Sequence, residues 1–142
     1  MHKALPHARP LLVTLPIRVQ TYDIDLARHV NNGVYIRWLE DLRMEMLRVY
    51  YPLERLIAQD AVPIIHSTRI TYHRSIRLFD HPEGRMWCSQ MGRATLTLEA
   101  EIVVGDLVCA SATQRGVLLK IGTRRPVRIP QELADAFLRQ NV

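Results

Sequence analysis

Two rhythms of apolar residues divide the chain. From Thr95 to Val104, the residues Leu96, Leu98, Ala100 and Ile102 alternate with Thr95, Thr97, Glu99 and Glu101. A period of two puts the first set on one face of a β-strand and the second on the other. Earlier, Tyr35, Leu39, Leu42, Met46 and Val49 recur at the spacing of a single helix face. They predict a long helix from Asn32 to about Tyr51, closed by Pro52, which cannot donate to the preceding turn.

The remaining segments take their types from local chemistry. "LVTLPIRVQTY", from Leu12 to Tyr22, is β-branched and partly alternating and predicts a first strand, with Pro16 at an edge or bulge. A short helical piece follows over 53 to 59, then a long strand from about Val62 to Leu78, and "DHPEG" at 80 to 84 makes a turn. "RMWCSQM" reads as a strand ended by Gly92, and Gly105-Asp106 signals a hairpin into "LVCASATQRGVLLKI", which is expected to bulge at Gly116. A last helix is expected from about Pro130 to Arg139, with Pro130 near its first position. Residues 1 to 11, rich in proline and histidine, are expected to form a loose arm.

Strand, long helix, then four strands joined by short turns predicts an antiparallel sheet with the helix packed on it, an α+β architecture. The small apolar residues on both faces of the final strand suggest that the second sheet face meets another subunit.

Composition narrows the class. With 142 residues, 48% of them hydrophobic and 23% charged, the chain fits one globular domain spanning 1 to 142. Nineteen Lys and Arg against 14 acids give +5, and lysine occurs only at Lys3 and Lys120. Arginine's planar fork suits phosphate groups. The densest cluster, "TRRPVR" at 123 to 128, is too short for a basic stripe, and no helix-turn-helix or zinc spacing occurs. Nucleic acid is therefore not the expected partner. Cys88 and Cys109 lack a CxxC pattern and read as buried reduced thiols, with no metal site. The apolar run within "MHKALPHARPLLVTLP" is too short for a signal core or a membrane span, so a soluble cytoplasmic protein with no membrane partner is expected.

The chemistry concentrates in "YDIDLARHVNNGVYIRWLEDLR", from Tyr22 to Arg43. Asn31 or Asn32 is a good helix cap, and the first-turn N–H groups beyond a cap direct positive partial charge forward. A carbonyl held there would be polarised and an oxyanion stabilised. Asp23 and Asp25 enter just before that end, where a carboxylate can attack an acyl carbon or activate water. The same residues also suit a plain structural role, since aspartate before a helix is a common turn or capping residue. Trp38, Met44 and Met46 read as packing rather than as a cofactor box.

"RVQTYDIDLARHVNNGVYIRWLEDLR" resembles the signature of the hotdog-fold acyl-CoA thioesterases, the 4-hydroxybenzoyl-CoA thioesterase-like family. "ITYHRSI", "MGRATLTLEAEI" and "PVRIPQEL" extend the likeness over nearly the whole chain. The resemblance implies a five-stranded antiparallel sheet wrapped around the long helix, in a homodimer whose sheets join, or a homotetramer, with active sites between subunits. It implies Asp25 as the catalytic carboxylate, and a helix-start N–H at Asn32 or Gly33 as the group that polarises the thioester carbonyl. Asp23, His29 and Tyr35 are supporting residues, with Asp23 and His29 expected to shape the loop. Arg93 and Thr95 match positions that contact the phosphates of coenzyme A.

The implied substrate is a fatty or aromatic acyl thioester of coenzyme A or acyl carrier protein, with no separate cofactor. Two features depart from the family pattern: Arg28 stands where many members carry glycine, and "HRSIRLFDHPEGRMW" lacks the usual proline and Gly-Asp. Two alternatives are a non-catalytic acyl-CoA binding module and a hotdog hydratase or dehydratase. The latter calls for G-D-x-N-P-x-H, with its acid and histidine five apart; here Asp25 and His29 are four apart.

Overall fold

A computed structural model describes all residues, 1 to 142. Strands β1 (His2–Lys3) and β2 (Val13–Pro16) precede helix α1 (Val34–Tyr50) and the short α2 (Leu53–Ala58). Strands β3 (Ala61–Tyr72), β4 (Glu83–Met91), β5 (Thr95–Val104) and β6 (Leu107–Lys120) follow, and α3 (Gln131–Gln140) ends the chain. All pairings are antiparallel, in the order β1-β4-β5-β6-β3, with β2 also on β4.

The sheet has six strands, where five were expected. The extra one, β1, lies in the segment expected to be a loose arm, and that expectation fails for a clear reason. His2 and Lys3 pair with Met91 and Gln90, and the Asn141 side chain accepts from the Leu5 N–H at 2.7 Å and donates to the Lys3 carbonyl at 3.0 Å. Leu11 is buried, and its N–H donates to Gln140 Oε1 at 2.7 Å. β1 and β2 continue one another along the same edge of β4. The arm is thus a strand broken in two by prolines and held by the chain's other end.

Helix α1 buries Val34, Tyr35, Trp38, Leu39, Leu42 and Met46, while Val49 of the expected face is 49% exposed and its neighbours Leu47 and Tyr50 turn to the core instead, the Tyr50 hydroxyl donating to the Leu12 carbonyl at 2.9 Å. Contact with the sheet is close at Gly84, where an added Cβ would lie 2.9 Å from Leu42 Cδ1. That glycine lets the helix approach β4. The β5 alternation holds, with Leu98, Ala100 and Ile102 buried. Gly105 takes φ +59 at the β5–β6 turn, as a two-residue hairpin requires.

The irregularity expected at Gly116 is present, but its extra residue lies on the facing strand: Ile65 pairs with Gly116 and Ser67 with Arg115, which leaves His66 of β3 unpaired; a second register shift falls at Ile102/Val103. Gly116 serves close packing, since a Cβ there would meet the Ile64 carbonyl oxygen at 3.1 Å. Strand β3 ends at Tyr72, earlier than Leu78, because His73 and Arg74 both turn their N–H groups onto the Cys109 carbonyl.

No helix is long and apolar enough to cross a membrane. Cys88 and Cys109 are both buried and free. Burial pushes the Cys88 thiol from 9.0 up to about 12. A raised folded-state value means the native chain holds this proton more tightly than the unfolded one. Stability from this group is complete below pH 9.0 and is lost as pH rises toward about 12. A series of melting curves should therefore show Tm level up to that lower limit and falling above it, and a native chain should resist thiol reagents until denatured.

Candidate active site

The loop from Gln20 to Gly33 is organised around a buried aspartate. Asp23 is 2% exposed; its Oδ2 accepts the Gln20 N–H at 2.8 Å and its Oδ1 accepts Arg37 Nη2 at 2.9 Å. Its carbonyl accepts the Asn31 N–H at 2.9 Å. Two of these contacts close the loop on itself and the third ties it to α1, so every hydrogen bond of Asp23 is structural. Arg37, which reaches back from α1 to close this link, has no signal in the sequence that distinguishes it from other surface arginines.

Between Asp23 and Asn31 the chain makes a miniature hairpin. Ile24 bridges Val30, the Asp25 N–H donates to the His29 carbonyl at 3.1 Å, and the Arg28 N–H donates to the Asp25 carbonyl at 2.9 Å. Asp25 Oδ1 accepts the Ala27 N–H at 2.8 Å, which leaves Oδ2 without a partner in the chain. The side chain is half-buried, anchored through one oxygen with the other available. His29 turns Nδ1 to the Val30 carbonyl at 3.1 Å. Val30 is itself tied to the Ile76 carbonyl, which fixes the hairpin against the β3–β4 connection.

Arg28 has φ +66. A tight hairpin loop commonly ends in a left-handed residue, which favours glycine. This accounts for the glycine that family members carry there, and Arg28 adopts the same backbone with its side chain exposed. Arg28→Gly should relieve the strain while adding unfolded-state entropy; the two effects are each about 1 kcal/mol, so Tm should shift little. Thermal denaturation of the variant checks this.

The helix start is capped by Asn31. Its Oδ1 accepts the Gly33 N–H at 2.8 Å and its carbonyl accepts the Val34 N–H at 3.0 Å. The Asn32 carbonyl accepts the Tyr72 hydroxyl at 2.9 Å, whereas the Asn32 N–H has no partner in the chain. Of the two expected oxyanion donors, Gly33 is therefore already engaged and Asn32 is open.

Tyr35 lies beneath the helix, 3% exposed, with ring centroids 5.0 Å from both Trp38 and Tyr72. Burial raises its hydroxyl to about 12, so it stays neutral. Its place is a brace under the helix start rather than a partner of Asp25.

Arg93 and Thr95 are exposed at the opposite end of the sheet. Thr95 pairs with Val117, which pairs with Ile64, whereas Tyr72 at the other end of β3 holds Asn32. The run from Ile64 to Tyr72 corresponds to about 25 Å of strand. Within one chain the residues expected to hold coenzyme A are far from Asp25. Gly92 lets the Thr95 hydroxyl sit over their turn, since an added Cβ would force that side chain to another rotamer.

A largely apolar cavity of about 480 Å³ also lies at this far end, between α1, β3 and the start of α3. Leu56, Leu98, Leu118 and Leu133 line it among others; Asp25, Asn32 and Gly33 do not. No group of three or more His, Cys, Asp or Glu side chains converges anywhere in the chain.

This fold and loop define a class. Residues 19–137 match the family model of the thioesterase-like superfamily, and the chain belongs to that family. Among individual relatives, it is 25% identical over 126 residues to the acyl-CoA thioesterase YbgC of Haemophilus influenzae, covering 87% of this chain and 93% of that one. The DHNA-CoA thioesterase of Staphylococcus aureus superimposes with a TM-score of 0.83 at 15% identity, over 90% of this chain and 89% of that one. Slr0204, a 1,4-dihydroxy-2-naphthoyl-CoA thioesterase from Synechocystis, does so with a TM-score of 0.80 at 17% identity, over 89% and 96%. The architecture is the hotdog fold.

Proposed function

We propose that the protein is an acyl-CoA thioesterase that works as a homodimer, with each reaction centre completed by the partner. The observation that carries the chemistry is Asp25, which has one carboxylate oxygen anchored and one open, beside a helix start whose Asn32 N–H is unpaired. Asp25 Oδ2 attacks the thioester carbon or takes a proton from the water that does so. Negative charge gathers on the carbonyl oxygen against the Asn32 N–H and the positive end of α1. The C–S bond then breaks and coenzyme A leaves as thiolate; on the first route water cleaves the acyl-Asp25 anhydride to the free acid, and on the second the proton held by Asp25 passes to the departing thiolate. Membership of the thioesterase-like superfamily and the likeness to a named acyl-CoA thioesterase support this reading.

Strand β3 supports the dimer. It is the last strand on its side of the sheet, and its twelve residues leave a long edge of unpaired backbone. A two-fold axis near its middle pairs β3 with its copy antiparallel and sets Tyr72 of one protomer beside the Ala61 end of the other. The Asp25 loop of one protomer then meets Arg93, Thr95 and the apolar cavity of its partner. Apolar side chains exposed on and around this loop support a covered surface: Leu26 at 103%, Phe79 at 86% and Tyr22 at 75%. Two buried reduced thiols suit the cytoplasm.

A survey of acyl-CoA and acyl-carrier-protein thioesters, read by appearance of free thiol, tests the assignment. Turnover is expected on acyl-CoA; no thiol release on any member would overturn it. Arg93→Ala should raise KM for acyl-CoA about tenfold with little effect on kcat, since the arginine touches phosphate in both the ground and transition states.

A further inference from the structure

One charged side chain intrudes on the apolar cavity. Of its lining residues, 15 of 20 are hydrophobic, and the charged ones are Glu40, exposed at the rim, and Arg43, half-buried within. Arg43 Nη1 donates to Gln114 Oε1 at 2.7 Å, and Gln114, itself 2% exposed, donates from Nε2 to Thr68 Oγ1 at 3.0 Å. The guanidinium is thus fixed by a neutral relay rooted in the sheet. No carboxylate forms an ion pair with it, and its side-chain partner is a neutral amide. Burial lowers its pKa, with Glu40 partly opposing that.

Holding a cation in an apolar wall with no carboxylate in direct contact is costly, and the relay satisfies only one of its five N–H groups. The rest of the guanidinium fork can accept an oxygen-bearing ligand. An arginine kept only to tie helix to sheet would be better served by an acid at Gln114. The neutral amide orients the fork without quenching its charge.

We infer that this cavity receives the acyl part of the substrate, and that Arg43 selects acyl groups carrying an oxygen substituent (hydroxyl, oxo or carboxyl) on an otherwise apolar body. The inference rests on the thioesterase reading above. The thioester sits at the Asp25 loop of one protomer, and its acyl group enters the partner's cavity past Arg43. Methionines and leucines, among them Met44, Met46 and Leu47, form the apolar wall around it.

The test compares straight-chain acyl-CoA thioesters with their hydroxy, oxo and ω-carboxy counterparts of equal length. For the wild type, kcat/KM should favour at least one oxygenated member of a pair by about tenfold, the value of one charge-assisted hydrogen bond. Arg43→Met, close in volume, should bring that ratio to about one, and Arg43→Lys, which keeps charge without the fork, should fall between. Binding of the same pairs to Asp25→Asn, read by calorimetry, should show the same ratio without hydrolysis.

A wild-type preference for unsubstituted chains, a ratio that survives Arg43→Met, or an equal loss on both members of each pair would overturn the inference. These outcomes are separate from the fate of the catalytic assignment. Should Asp25→Asn retain full hydrolysis, that assignment fails while the ratios still report on Arg43.

Discussion

Asp23→Ala should lower the melting temperature by ~10 °C, corresponding to about 2–3 kcal/mol in a chain of this size. The side chain is 2% exposed and joins two elements that have no other side-chain link here: the Gln20 N–H at the loop entrance and Arg37 on α1. Its removal leaves the Gln20 N–H facing a void and frees Arg37. The Arg37 side chain is 59% exposed and can return to water, so the loss stays below that of a fully buried ion pair. Activity should fall as well, because the Asp23 carbonyl–Asn31 bond that sets the helix start depends on the same turn. Lowering the assay temperature should recover part of that activity.

Asp25→Asn should do the reverse. The amide keeps an oxygen for the Ala27 N–H, and the side chain is only half-buried, so Tm should stay within a degree or two of the wild type. Thiol release should fall by about 10²–10⁴-fold, the usual contribution of a positioned base or nucleophile. The loss should appear in kcat, with KM for acyl-CoA nearly unchanged, because the carboxylate acts on the reacting carbon and the coenzyme is held elsewhere. The two variants should thus separate two aspartates, two residues apart, into one whose loss costs mainly stability and one whose loss costs chemistry.

That division was partly legible in the chain. Spacing alone located α1 and the face of β5 that packs against it, since periodicity is a local property and these elements obey it. The resemblance supplied Asp25 and the helix start. Which of the Asn32 and Gly33 N–H groups is left open leaves no local trace, because it turns on where the Asn31 side chain points. The N-terminal segment misled for a different reason. Its order comes from Asn141 and Gln140, at the far end of the chain, and long-range anchoring leaves no periodic trace. Gly116 combines both meanings of a strand glycine, a bulge on the strand it faces and a close approach to the Ile64 carbonyl, and spacing within one strand does not say which strand carries the extra residue. Arg43, Gln114 and Thr68 are far apart in sequence, and nothing local in any of them reveals the relay.

The cavity illustrates the same limit at the level of assembly. It lies at one end of β3 and the Asp25 loop at the other, and in the proposed dimer a second copy across the β3 edge would bring the two together. Mixed dimers would show this. Asp25→Ala removes the reacting group and Arg93→Ala weakens binding, so with substrate well below KM an equal random mixture should reach about a quarter of the wild-type kcat/KM, against roughly a twentieth if each centre were built within one chain.

The most direct measurement follows free thiol and free acid together as an acyl-CoA is consumed, with wild type and Asp25→Asn at equal concentration and matched folding. The wild type should release one thiol for each acid formed, and Asp25→Asn should be slower by at least about a hundredfold. Equal rates in the two proteins, or no thiol from the wild type, would contradict the assignment of Asp25 as the group that cleaves the thioester.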